Sequence, residues 1–463
     1  MEENNRISEV VFGFVENMDA LNESSPLVIH VVNSVAVGLS KAHSEYLEKY
    51  GEIKEQDDEK KVYSVPVEKQ GRTNKLSIQS ANLRASAKLI PRNFLVSYVS
   101  EFDCFLGALL KVIYTKKPEL LNDSSKQITY TELLAYESLE DAKEQILEKE
   151  IESVLRKSHS EHFSVLENKF GIKLRKGLDI WSDFIEMTER RNLFVHSNGV
   201  VSSQYLKVCE QNGVEVKDIS VGDKLQVDSE YLKNSYRVIF EISVKLAHVL
   251  WRKLFPEERE DADNDLNSLC FDLISKNKNN LAAVLFEFAI SLPKHHNDTI
   301  KRMMIINLAQ AYRWSGDKDK CDEVLSRFDW SALGYEFKLA VSVLKEENQK
   351  ASELLKTVVS TGDISEREIV NWPLFKEYRK TDEFLSAFKE LFGKDYAQQE
   401  ELVREEFDTH MKSILNPSMS EGDDSIDEKA KVEEVVEQIE KGFKEDSGLD
   451  DSIDSMGEDI KVH

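Results

Sequence analysis

The residue types best suited to chemistry crowd into one segment, DIWSDFIEMTERRNLFVHSNG, from Asp179 to Gly199. It holds Arg191, Asn192 and His196. Imidazole titrates near neutral pH, so a histidine can give or take a proton there. A guanidinium can hold an oxyanion such as a phosphate, and an amide can orient an imidazole. At roughly 100° per residue, Trp181 and Ile185 fall within about 20° of Asn192, and Leu178 and His196 at about 40°. An apolar stripe thus runs into Asn192 and His196. Polar groups on a buried stripe are costly unless paired. Either the two satisfy each other at their i, i+4 spacing, which makes His196 a core histidine facing another helix, or they line a site. Arg191 lies about 140° from His196 around the helix, so the two do not simply share a face. A symmetric dimer offers another solution, in which Arg191 and His196 of both subunits converge at the two-fold axis.

The elements that must position these residues are mostly helical. The motif helix is expected from about Gly177 to Ser197, ending in Ser197-Asn198-Gly199, where glycine suits a left-handed terminus. A long helix is expected from Pro91 to Tyr114, with proline in its first turn, and another from Ser138 to Lys157. Upstream lies an apolar stretch from Leu27 to Tyr46. The charged segment Glu52 to Gln79 alternates like a small hairpin or ordered loop turning at Gly71. After the motif comes a Val/Ile-rich stretch, VEVKDISVGDKLQVD. Asp228 then caps a helix running to about Leu254.

The pattern changes after residue 258. Helical segments alternate with polar turns, Lys276-Asn277-Lys278, Ser315-Gly316-Asp317 and Glu346-Glu347-Asn348, spaced as in an α-solenoid of helix pairs. Residues 417–463 carry 16 acidic residues and 5 lysines, and repeat DDSID at 423–427 and 450–454. This tail is expected to be largely disordered, apart from a transient amphipathic helix over Val432 to Phe443. We therefore divide the chain into residues 1–258, 259–396 and 397–463.

The 463 residues carry 61 Lys and Arg against 86 Asp and Glu, a net charge of −25. A global basic footprint for nucleic acid or an anionic membrane is absent. The N-terminus lacks the pattern of a secretory signal. The apolar run Leu27 to Leu39 is too short to span a bilayer. Cys104, Cys209, Cys270 and Cys321 match no zinc spacing, so a reduced, cytoplasmic setting is expected. There is no phosphate loop of the G-x-x-x-x-G-K-[ST] type and no G-x-S-x-G elbow. The acidic string Asp261 to Asp265 fails as a calcium loop, since Leu266 holds the glycine position. His295-His296 reads as a loop without further ligands. No cofactor and no metal site is expected.

Arg191-Asn192-Leu193-Phe194-Val195-His196 reads as R-N-x-x-x-H. It resembles the R-x(4–6)-H signature of the HEPN superfamily, in which a polar residue often follows the arginine. The stretches LIPRNFLVSYVSEFDCFLGALL and VGDKLQV…SEYL resemble HEPN-like proteins of bacterial defence systems, so the likeness covers roughly Leu89 to Leu254. Within the second region, NLAQAYRWSGDKDKCDEVLSRF resembles a tetratricopeptide repeat (TPR), with Leu308, Ala309 and Tyr312 as packing positions and Gly316 at the turn. The resemblances imply an all-α chain, a HEPN-type helical bundle with small β or loop insertions followed by TPR-like helices. They imply a dimeric, metal-independent endoribonuclease, toxin-like or antiviral, with Arg191, Asn192 and His196 as its catalytic residues. His196 would move a proton, Arg191 would hold the scissile phosphate and Asn192 would orient His196 or bind a phosphate oxygen. The product would be a 2′,3′-cyclic phosphate. Arg156, Lys157, Lys173, Arg175, Lys176 and Arg190 form a candidate RNA-binding strip beside the motif, to which His159 and His162 add charge at lower pH. Ordinary salt bridges on a solvated helix face are the plain alternative. The acidic tail could compete with RNA for that strip. The rival reading of the whole chain is a HEPN-fold dimerisation scaffold without catalysis, its repeats binding a protein.

Overall fold

A computed structural model describes residues 6–56, 61–121, 129, 136–396 and 460–462. Within these the chain is all-α apart from one small sheet. The described residues fall into two compact units, one of residues 6–247 with 460–462 and one of residues 248–396.

The first unit is built on two long antiparallel helices, α1 (Ile7–Tyr50) and α2 (Val67–Lys116). They are joined through strands β1 (Glu52–Gln56) and β2 (Lys61–Ser64), which pair antiparallel. Gly51 makes the turn from helix to strand. A Cβ there would come within 2.7 Å of the Leu47 carbonyl and 3.0 Å of the Tyr63 ring, so no larger residue fits without displacing the backbone. Leu47, Tyr63 and Val65 form a small core at this end.

Two expectations need correction here. Gly71 does not turn a hairpin; it lies inside α2, and the hairpin sits earlier. Pro91 does not open a helix but lies in the interior of α2, as Pro26 does in α1. Proline removes an N–H from the helical ladder. At Pro26 the carbonyl left over is that of Asn22, and the Ser25 hydroxyl donates to it at 3.3 Å. The pairs Phe14–Phe105, Asn17–Glu101 and Ser40–Ser80 set the register of the two helices. That register places Pro26 opposite residues 92–94, within one turn of Pro91. Beyond the prolines the helices form an arm that buries Ala36, His43, Leu47, Thr73, Leu76 and Ser80. It leaves Leu27, Val28, Val35, Val67, Ile78 and Leu89 exposed. Among the described residues α1 is the one helix long and apolar enough to cross a membrane by length and composition, because the helix continues far past the short run Leu27 to Leu39. Its most apolar window has a mean hydropathy of 1.2 and is only 11% buried.

The tail is mostly outside the described residues, including the Val432 to Phe443 stretch. Its end departs from the expected disorder: β3 (Ile460–Val462) pairs parallel with β2, giving the order β1-β2-β3.

Helices α3 (Leu139–Leu155), α4 (His159–Phe170), α5 (Trp181–Ser197), α6 (Ser203–Gln211) and α7 (Ser229–Leu254) complete the first unit, and α7 runs on into the second. Asp228 caps α7 as expected, its Oδ1 accepting from the Tyr231 N–H at 2.6 Å. Leu95, Phe102, Leu106, Phe163, Phe184 and Phe240 are fully buried in this unit, and Phe102 packs edge-on against Phe184 of the motif helix.

The second unit is a run of helical hairpins, including Arg259–Ser275 with Asn279–Ser291, Asp298–Trp314 with Lys318–Ser326, and Tyr335–Leu344 with Asn348–Thr361. Asn277, Gly316 and Glu346 carry positive φ at the three turns. Leu308, Ala309 and Tyr312 are buried. The acidic string Asp261 to Asp265 lies within a continuous helix. Asp263 is fully buried. It accepts from Arg252 (2.6 Å) and from the His296 N–H (2.6 Å), and lies 3.5 Å from the His295 ring. Burial pushes its carboxyl up, but these partners together outweigh burial and bring it from 3.8 down to about 2. A carboxyl depressed in this way stabilises the fold fully above its unfolded value, and that share is lost as pH falls through the folded one. We expect about 2 kcal/mol of stability to disappear between roughly pH 4 and pH 2. Urea unfolding of Asp263→Asn should lack that share of the acid dependence; an acid profile identical to wild type would overturn the assignment.

Candidate active site

Helix α5 carries the motif and ends as its sequence suggests. Asn198 and Gly199 both take left-handed backbone conformations. A Cβ on Gly199 would meet the Phe194 ring at 2.7 Å and the Leu225 carbonyl at 3.1 Å. The terminus is clamped by Arg92 of α2, which donates to Asn198 Oδ1 and Gln226 Oε1, both at 3.0 Å, and lies over the Phe194 ring. On the inward face Leu193 joins Val201, Tyr205, Cys209 and Val216 in one cluster.

The structure separates the residues that the motif groups. Arg191 turns inward and donates to Asp103 Oδ2 of α2 at 2.8 Å. It also donates to Asn192 Oδ1 at 3.3 Å. Asn192 in turn hydrogen-bonds the Glu189 carboxylate, whose pKa is raised by burial against the opposing pull of His159, Asn192 and Arg191. His196 is exposed at the helix end, as are Val195 and Val200. It is therefore not a core histidine paired to Asn192. Among the described residues, no hydrogen bond or ion pair links Arg191 to His196.

Asp103 is the centre of a cluster that the sequence did not reveal. Its Oδ1 lies 3.1 Å from His159 Nε2. Burial pushes its carboxyl up, yet the His159 hydrogen bond and the charges of His159, Arg191 and His162 leave it below its ordinary value. His159 and His162 do not extend the basic strip. They are 6% and 1% exposed, because the Ser158–Glu161 capping box starts α4 with that face turned inward. Burial first, then the neighbouring His159, lowers the pKa of His162. The readable signal was H-x-x-H at i, i+3, one face of a helix.

The rest of the strip divides in two. Lys157, Lys173 and Lys176 are exposed. Arg156 is exposed and paired with Glu152. Arg175 folds onto Glu167, with Nε to Oε2 at 3.0 Å, and lies over the Trp181 ring. Arg190 is drawn inside. It donates to Glu186 at 2.7 Å and to the Gln226 carbonyl at 2.9 Å, and stacks on Tyr231 at 4.1 Å. Glu186 also accepts from the Tyr205 and Tyr231 hydroxyls, each at 2.6 Å. Both phenols are held far above their ordinary pKa, by burial first and by Glu186 next.

The arrangement thus offers an arginine pre-oriented by a carboxylate, an exposed histidine one turn further along, and a buried Asp–His–His group behind the arginine. No family model matches the chain, and neither a curated protein nor a solved structure matches it.

Proposed function

We propose that the chain is a metal-independent endoribonuclease of HEPN type, active as a homodimer through the motif helix. The observation that carries this reading is the exposed end of α5. His196 is exposed on a helix end whose Val195 and Val200 are 51% and 39% exposed, and Val221, next to Gly222 whose N–H donates to the Val201 carbonyl, is 62% exposed. Apolar side chains around a polar group favour cover by another surface. A second copy laid there would bring Arg191 of the partner subunit toward His196. His196 would take the proton of a ribose 2′-OH as that oxygen attacks phosphorus. The 5′-oxygen leaves and takes up a proton, and a 2′,3′-cyclic phosphate remains. The N–H groups of Arg191 not used by Asp103 would hold the phosphate, and Lys157, Lys173 and Lys176 would follow the backbone.

The helical hairpins of the second unit fit a TPR-like sensor or scaffold for a protein partner. A role in bacterial defence or toxin-like RNA cleavage rests on the resemblance of the Leu89 to Leu254 segment alone. One observation favours the non-catalytic scaffold instead: Arg191 already has its charge answered by Asp103. Assembly separates the readings of the site. Light scattering should give a dimer at the concentrations where RNA is cut. A strictly monomeric species that cleaves RNA refutes the two-copy site.

A further inference from the structure

The Asp103–His159–His162 group has the chemistry of a metal site. The three residues present one ligand atom each, and these atoms all lie within 4.8 Å of one another. The Asp103 Oδ1 to His159 Nε2 distance of 3.1 Å is close to the edge of a tetrahedron with metal bonds of about 2.0–2.1 Å. His162 is 1% exposed; the Leu155 and Lys157 backbone lies near its ring, but neither ring nitrogen makes a hydrogen bond of normal geometry. A buried imidazole left in that state is unfavourable. A cation accepting its lone pair removes part of that cost.

We propose that Asp103, His159 and His162 bind one divalent transition-metal cation, zinc in preference to magnesium or calcium. Two imidazoles and one carboxylate form a borderline-soft donor set, whereas magnesium and calcium take mostly oxygen ligands. Three protein ligands leave one coordination position for water. The second oxygen of Asp103 holds Arg191 at 2.8 Å, so Arg191 is an outer partner that orients a ligand. The cation would join α2, α4 and, through Arg191, α5. It lies behind the arginine and takes no part in moving protons at His196. The inference stands whether or not the chain cleaves RNA.

The test uses the full chain, stripped with chelator and titrated with Co2+ and Zn2+ in the absence of RNA. The expected result is one cation per chain, with the visible d–d bands of four-coordinate Co2+ bearing imidazole ligands. His162→Phe keeps the buried volume and removes the ligand, and Asp103→Asn removes the anionic ligand. Each should weaken binding by more than about 100-fold while circular dichroism shows a folded chain. His295→Ala, in the other unit, should keep the one-to-one binding. Failure of the wild type to bind one Zn2+ or Co2+ overturns the proposal. So does binding that survives His162→Phe and Asp103→Asn, or binding lost in His295→Ala.

Discussion

His196→Ala and Arg191→Ala should each abolish RNA cleavage while leaving a folded chain. His196 is exposed, and among the described residues it makes no hydrogen bond or ion pair whose loss would disturb packing. General acid–base catalysis contributes about 10²–10⁴-fold, and a lost charge clamp on the phosphate removes a comparable factor. Arg191→Ala also frees Asp103, so its effect on stability should exceed that of His196→Ala. The cleavage step assigned to His196 needs no cation, and the Arg191–Asp103 ion pair is direct. Cleavage by the wild type should therefore persist in EDTA. A gel assay of RNA fragments, with end-group analysis for cyclic phosphate, reads all three conditions. Undiminished cleavage by His196→Ala would remove the catalytic reading, and complete loss of wild-type activity with chelator would remove the metal-independent one.

Glu186→Ala should give the largest stability loss of any change to a polar side chain on the motif helix. One carboxylate answers two phenols and one guanidinium at 2.6–2.7 Å. Its side chain and that of Arg190 are only 14% and 15% exposed. Removing it leaves Arg190 without its counter-charge and the two phenol hydroxyls without their acceptor, at a cost of about 3–5 kcal/mol. Arg190→Ala should likewise lower the urea midpoint, because Arg190 stacks on Tyr231 as well as pairing with Glu186. Lys173→Ala, an exposed neighbour in the candidate strip, should leave the midpoint within about 0.5 kcal/mol of wild type. A Glu186→Ala chain less than about 1 kcal/mol weaker than wild type would show that the hub is not a structural centre.

Local rules read the ends of elements well and their lengths poorly. The Asn198-Gly199 terminus, the Asp228 cap and the turns at Asn277, Gly316 and Glu346 each depend on a few adjacent residues, and each was visible in the chain. The two helices of the arm were not. Pro26 and Pro91 look like boundaries, since a proline starts or breaks a helix when only its own segment is considered. Packing of α1 against α2 along their lengths overrides that preference. The site was half legible for the same reason. R-N-x-x-x-H lies within one helix, but Asp103 is 56 residues from His159 and 88 from Arg191. No spacing rule spans such distances. The basic strip was overcounted because Glu152, Glu167 and Glu186 are the partners of Arg156, Arg175 and Arg190.

The two prolines give the arm the mechanics of a lever. From residue 27 to Tyr50 is about 24 residues, or roughly 36 Å of helix. A load on the sheet at the tip acts with that length as its moment. Bending concentrates where both helices lack a backbone hydrogen bond, at the level of Pro26 and Pro91. On the far side of this fulcrum, in the same helix as Pro91, stand Arg92 and Asp103, which clamp the end of the motif helix and hold Arg191. Torque applied at the strands is thus transmitted along α2 to the two residues that aim the arginine and terminate the helix bearing His196.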